Sequence, residues 1–317
     1  MRKVLFAVLG IGIGAGAAYF AVWAPMQKPN PRFEPLPADL EIPHASTRGQ
    51  FRNGSRTERT PASYELVGPV PGLSPEVGCA ESVIVVVHGF NNSPKKAQNR
   101  FGVARQSLQK NGYKGIVVGF SWDADTQLDP FSATGYREAK EHTEGNGPLL
   151  AKFLGDLRTA CPTMKIAVIG YSMGARLALE GLRHLESKID VVYLVGAAVD
   201  NEEVELGERY GNAIEAHAGK VVNYFSPNDS KLGNIFAVKE VDRSLGKHDI
   251  EHKSRSPKNY FGINVMSELP TIDDSGEVVV GGPQGANHSG YLGTRNNAGV
   301  LTDDGVMNLV ARDFAKF

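Results

Sequence analysis

From about residue 78 onward, unbroken apolar runs alternate with stretches whose apolar positions recur every three to four residues. Val83 to Val87 is a continuous β-branched run, the pattern of a strand buried on both faces. Ser93-Pro94 then supplies a cap and a first helical residue, and a helix is expected to about Lys110, stopped by Gly112. The same reading predicts strands at Tyr113 to Phe120, Lys165 to Ile169, Val191 to Val195 and Lys220 to Phe225. Helices are expected over about Thr134 to Thr159, Met173 to Ser187 and Glu203 to Ala218. This alternation implies an α/β fold with a doubly wound, mostly parallel sheet, whose sites form at the carboxyl ends of the strands.

The flank on the amino-terminal side has a different pattern. Behind Met1-Arg2-Lys3, Val4 to Ala24 is a run of 21 residues with no charged side chain, long enough as a helix to cross a bilayer's hydrocarbon. Residues 1–24 are expected to form an uncleaved membrane anchor, with a signal segment cleaved after Ala24 as the alternative. Basic residues in front and none clustered until well downstream put the body outside the cytoplasm, periplasmic or extracellular. Gly12-Ile13-Gly14-Ala15-Gly16-Ala17 fits a dinucleotide-binding glycine pattern, with Glu34 about 20 residues on. The prolines at 25, 29 and 31 exclude the helix and second strand that such a site needs. Residues 25 to 75 hold 10 of the 18 prolines, so 25–77 is expected to be an extended linker. Its Arg48, Arg52, Arg56 and Arg59 read as a solvated basic face, with anionic lipid headgroups as the alternative contact. Residues 78–317 then make up the globular domain.

Charge and cysteine content narrow the partners. With Lys+Arg 34 against Asp+Glu 35, the 317-residue chain has a formal charge of −1 and no field to hold a phosphate backbone, which excludes nucleic acid as an expected partner. Cys79 and Cys161 are too few for a disulfide scaffold and lack the spacing of a thiolate zinc site.

The candidate chemistry sits where strands end. Gly170-Tyr171-Ser172-Met173-Gly174 is a G-x-S-x-G between a strand and a helix. There the glycines permit a tight turn and Ser172 is lifted at the helix N-terminus; a plain helix cap is the alternative. His88-Gly89-Phe90-Asn91 follows the first strand of the domain. An oxyanion would need two backbone donors, the N–H of Met173 and, from this earlier loop, that of Phe90, with His88 structural. A serine hydroxyl needs a histidine to accept its proton and a carboxylate to orient that histidine. His44 falls in the linker, His142 and His184 on helices, His217 before a strand, and His248 and His252 in a polar excursion. His288 alone follows a late apolar run, Val278 to Val280. Asp229, directly after the strand ending at Phe225, is the expected acid, and Asp200 is the reserve. His248-Asp249-Ile250-Glu251-His252 matches an inverted zinc-peptidase pattern, but Gly246 and Ser256-Pro257 leave too short a helix to present both histidines. The expected chemistry calls for no metal and no cofactor.

With its elbow at Ser172, its order Ser172, Asp229, His288, and His88-Gly89-Phe90 and Phe120-Ser121-Trp122-Asp123 after successive strands, the chain resembles the α/β-hydrolase superfamily. More narrowly, it resembles a bacterial branch of uncharacterised lipase-like hydrolases, with Trp122-Asp123 where that branch usually has Trp-Pro. The resemblance covers about residues 78 to 317 and implies a serine hydrolase acting on a small-molecule or lipid ester, thioester or amide. Residues 230–276, rich in charge and containing Tyr260-Phe261-Gly262, are expected to form an insertion over the pocket, and Phe90, Trp122, Phe131 and Tyr171 are candidate walls of an apolar acyl site, with plain core packing as the alternative. A non-catalytic binding or scaffold protein on the same fold is the alternative class. In that fold the strand before the oxyanion loop neighbours the strand before the nucleophile. Cys79 and Cys161, each nine residues before the end of its strand, would then meet at one sheet edge and form a disulfide in an exported body.

Overall fold

A computed structural model describes residues 41–52, 55–56, 63–126, 134–233, 243–273 and 275–317. The apolar segment 1–24, the glycines from Gly12 to Gly16, Glu34, Arg59 and Phe131 lie outside these residues. Among the described residues no helix is long and apolar enough to cross a membrane.

Eight strands form one sheet: β1 His44–Ser46, β2 Glu65–Val67, β3 Ser82–Val87, β4 Ile116–Ser121, β5 Lys165–Tyr171, β6 Ile189–Val195, β7 Ala218–Phe225 and β8 Tyr260–Asn264. Their spatial order is β8-β7-β6-β5-β3-β4-β1-β2, and every neighbouring pair is parallel except β1 and β2. The principal helices are α1 Pro94–Lys110, α2 Thr134–Ala160, α3 Met173–His184, α4 Gly211–His217 and α5 Met307–Phe314. β3 shows why the sheet is covered on both sides. Val83, Val85 and Val87 join the core that contains Leu150 and Phe153 of α2 and Leu177 of α3. The alternate residues Ile84 and Val86 join the core that contains Phe101 of α1 and Val310 of α5. Successive strand residues point to opposite faces, so a strand with no polar break must have helices on both.

Register positions the chemistry. β3 pairs with β5 so that Ser82 lies opposite Lys165 and Val87 opposite Gly170. The loop starting at His88 therefore leaves the sheet beside Tyr171-Ser172. At the other end of the same two strands Cys79 and Cys161 form a disulfide with Cα atoms 5.6 Å apart. Closing that loop restricts the unfolded chain and contributes about 4 kcal/mol in the chain-entropy account.

Five expectations need correction. Residues 41–52 and 63–77, expected to belong to an extended linker, supply β1 and β2. Pro43 donates no hydrogen bond, but its carbonyl accepts from Gly119 N–H at 2.9 Å, and Ile42 and Ala45 are buried, so the described prolines stand outside the strands and do not unfold the segment. Within the expected insertion, Tyr260–Asn264 is the outermost strand of the main sheet, while the apolar run Val278 to Val280 is not a sheet strand and Val280 is 96% exposed. The helix expected from Glu203 shrinks to Gly211–His217 because Gly207 takes φ +87° and a Cβ on Gly211 would lie 1.9 Å from Glu205 O. Tyr113 lies before β4.

Candidate active site

Ser172 has φ +56° and ψ −122°, a strained conformation for a residue with a side chain. Three backbone bonds hold it there: its N–H donates to Val195 O at 3.1 Å, and its carbonyl accepts from Ala175 N–H at 3.0 Å and Ala198 N–H at 3.1 Å. The flanking residues must be glycine. A Cβ at Gly170 would sit 2.6 Å from Ala175 Cα, and one at Gly174 would sit 2.3 Å from Val87 O. Although Ser172 stands at the cap position of α3, its hydroxyl makes no capping bond. Its Oγ lies instead 3.0 Å from His288 Nε2.

His288 begins a single 3-10 turn, His288–Gly290, and is almost wholly buried. Its Nδ1 is 2.7 Å from Asp229 Oδ2, while the other oxygen of that buried carboxylate accepts from Leu232 N–H at 3.0 Å. The turn is anchored from outside: Tyr171 Oη donates to His288 O at 3.1 Å, and Arg100 Nη1 donates to Ser289 O at 2.8 Å. Asp200 lies in the turn after β6, where its carboxylate accepts from Glu202 N–H at 3.1 Å. The carboxylate on His288 is that of Asp229.

The loop after β3 touches the elbow, for a Cβ on Gly89 would lie 2.9 Å from Ser172 Cβ. Two donors fix the Gly89 carbonyl: His88 Nδ1 at 3.0 Å and Asn92 Nδ2 at 2.8 Å. His88 Nε2 faces Trp122 N–H at 3.2 Å and Arg48 Nη2 at 3.2 Å, so Nε2 is the acceptor and the proton resides on Nδ1. Burial, reinforced by the Arg48 charge, holds the His88 imidazole well below its ordinary pKa. Met173 opens α3, so its N–H has no intrahelical partner.

A family model described as "Alpha/beta hydrolase of unknown function (DUF900)" matches residues 77–281. The chain belongs to this family. The α/β hydrolase is 27% identical over 152 residues to a rice (Oryza sativa subsp. japonica) protein named "Transmembrane and coiled-coil domain-containing protein STS1". That match takes in 44% of the chain and 22% of the rice protein, so the chain spans about a fifth of its relative's length. Among solved structures it is similar to a Trichoderma reesei cutinase in complex with a phosphonate inhibitor (20% identity, 38% of this chain and 52% of that one, TM-score 0.28). It is also similar to an acetylxylan esterase (12% identity, 75% of this chain and 98% of that one, TM-score 0.39).

The family match contains Ser172 and Asp229 but ends before His288 and starts after Arg48. Sequence reasoning missed the groups that hold the hydrolase's loops: Arg48, Asn92, Arg100 and Asp123. Asp123 accepts from Gly49 N–H at 2.8 Å and Phe51 N–H at 3.0 Å, a use for the carboxylate that stands in place of the expected proline. Trp122 is no acyl-pocket wall, since it is fully buried, stacks on the His88 ring at 5.6 Å and donates to His88 O at 2.8 Å. Tyr171 is likewise part of the frame, beneath Arg100 and 5.4 Å from the His288 ring. Phe90 is half-buried and meets Tyr136 edge-on at 5.7 Å. The zinc-peptidase pattern is broken by the chain itself: Asp249 takes φ +62° between the two histidines, and His252 Nδ1 lies 2.9 Å from the buried Glu205 carboxylate. Among the described residues no cluster of three His, Cys, Asp or Glu could hold a metal ion.

Proposed function

We propose that this α/β hydrolase is a serine carboxylic ester hydrolase. The observation that carries the reading is the continuous contact Ser172 Oγ to His288 Nε2 at 3.0 Å and His288 Nδ1 to Asp229 Oδ2 at 2.7 Å, built on a strained serine. Ser172 Oγ attacks the ester carbonyl while its proton passes to His288 Nε2. The carbonyl oxygen becomes an oxyanion facing the N–H groups of Phe90 and Met173, and Asp229 stabilises the imidazolium. Collapse breaks the bond to the alcohol, which takes the proton from His288 and leaves an acyl group on Ser172. Water, deprotonated by the same imidazole, then releases the acid and restores the serine.

The reading also assigns the apolar segment 4–24 to a membrane tether, with the body in an oxidising compartment outside the cytoplasm. The disulfide supports that side of the membrane, because such bridges persist where thiols are not kept reduced. A fluorophosphonate probe is expected to label wild type at Ser172 and leave Ser172→Ala unlabelled. p-Nitrophenyl esters of graded chain length would then report the acyl preference. An unlabelled, folded wild type would favour a binding or scaffold role.

A further inference from the structure

The geometry points to Arg48, forty residues before the oxyanion loop and outside the matched family region, as a positioning residue that aims the Phe90 N–H at the developing oxyanion. The inference rests on the serine-hydrolase reading and adds to it what orients the donor.

Arg48 stands at the head of a strap that β1 ties to the sheet. Thr47 N–H donates to Ser121 O at 2.9 Å, Thr47 Oγ1 donates to Asn146 Oδ1 at 2.5 Å, and Asp123 receives the N–H groups of Gly49 and Phe51. With its backbone so fixed, Arg48 reaches from strap to loop through its guanidinium. Nε donates to Ser121 Oγ at 3.0 Å and Nη1 to Asp125 Oδ1 at 2.7 Å. Nη2 donates to Asn92 O at 2.7 Å and to His88 Nε2 at 3.2 Å. The last two partners, His88 and Asn92, are the residues whose side chains clasp the Gly89 carbonyl.

A planar trans peptide converts that clasp into an aim. The carbonyl of Gly89 and the N–H of Phe90 belong to one rigid unit and point in opposite directions. Pulling the oxygen toward His88 and Asn92 turns the N–H away from them, on the loop that abuts Ser172. Arg48 secures both arms. By donating to Nε2 it requires the His88 proton to sit on Nδ1, where it can reach Gly89 O, and by holding Asn92 O it keeps the second amide in place. Protonated His88 would keep the Nδ1 donor but lose its acceptor at Nε2 and face the guanidinium with like charge. A lysine could keep the charge but not the planar fork that spans these partners.

The test compares wild type with Arg48→Met and Arg48→Lys on a p-nitrophenyl ester, alongside fluorophosphonate labelling of Ser172 and thermal unfolding. Both variants are expected to lose about 10- to 100-fold in kcat with KM near wild type, since a misdirected donor weakens the transition state and not substrate binding. Inhibition by a trifluoromethyl ketone, whose adduct on Ser172 carries the oxyanion, should weaken in the same proportion. A general loosening of the fold would not produce that proportionality. If Arg48→Met does not fold, Arg48→Lys carries the test alone. Wild-type kcat and ketone affinity in a folded variant overturn the role of Arg48 while leaving the labelled serine, and so the hydrolase reading, intact. A wild type that neither labels nor turns over ester overturns both.

Discussion

The turn that carries Ser172 and the loop after β3 lie against each other, yet they are held by opposite strategies. Five consecutive residues, 170–174, carry nearly all that bends the elbow: two glycines that admit its close approaches and a serine at φ +56° between a strand and a helix. The loop 88–92 borrows its shape from afar, from Arg48 upstream and from Trp122 and Ala124 downstream, the latter accepting Asn91 N–H at 2.7 Å. A short-range device leaves a motif in the sequence. A long-range one leaves only scattered polar residues.

Removing the groups that meet above this contact should have the largest effect. Ser172→Ala and His288→Ala are each expected to lower kcat about 10,000-fold or more, with the double variant little worse than either single one. Asp229→Asn should cost about 10,000-fold by mis-setting the imidazole tautomer, whereas Asp200→Asn should leave turnover near wild type. Steady-state ester hydrolysis on folded protein checks all five variants. A severe Asp200→Asn would reverse the choice of acid.

Gly174→Ala probes the seam between the two regions. Its new Cβ would lie 2.3 Å from Val87 O and 2.5 Å from His88 O, both main-chain atoms that cannot step aside without moving the loop after β3. We expect a loss of about 2 to 3 kcal/mol in denaturant unfolding together with a fall in kcat. Unchanged stability would mean that the seam is looser than these approaches indicate.

The same contrast explains which parts of the fold the sequence made legible. β3 to β7 announced themselves because a central parallel strand carries a continuous apolar run, as Val83 to Val87 shows. β2 and β8 are the edge strands of the sheet, and β1 is a three-residue strand next to the edge. In Tyr260–Asn264 only the first residue is buried, and His44–Ser46 follows a proline, so neither offers a periodic signal. Val278 to Val280 offered that signal without being a sheet strand. At the site, Ser172, Asp229 and His288 were findable because each follows an apolar run. Arg48 was read as one of four surface arginines, since nothing local distinguishes an arginine that reaches His88 from one that reaches water.

Asp123→Ala tests the strap with a smaller expected effect. It removes the acceptor of Gly49 and Phe51 N–H, bonds to a charged group worth about 1 to 3 kcal/mol in total. The loss of stability should come with a modest fall in kcat, less than for Arg48→Met, because Arg48 keeps its hydrogen bonds to Ser121, Asp125, Asn92 and His88. Wild-type stability would show that β1 alone holds the strap.

The smallest effect is a dependence on pH that should divide the two regions. Burial holds His88 neutral well below the ordinary imidazole value of 6.5, with Arg48 pressing the same way, and burial also lowers His44 in β1. Around His88 stand Arg48, Arg100, His44, the Trp122 ring and Gly89 O, none of them a carboxylate that would favour its protonation. Above pH 6.5 the imidazole is neutral both folded and unfolded and contributes no pH dependence. Below it the unfolded chain takes up the proton and the folded chain does not, so stability falls with falling pH by up to about 1.4 kcal/mol per unit for each such group. Hydrogen exchange followed from pH 7.5 to 5.5, corrected for intrinsic rates, is expected to show protection falling first in 44–48 and 88–92, while 165–175 keeps its own. His88→Gln, which cannot take the proton, should flatten the slope of thermal stability against pH. Equal loss of protection in both regions would mean that the strap and the elbow unfold as one unit and that acid does not separate them.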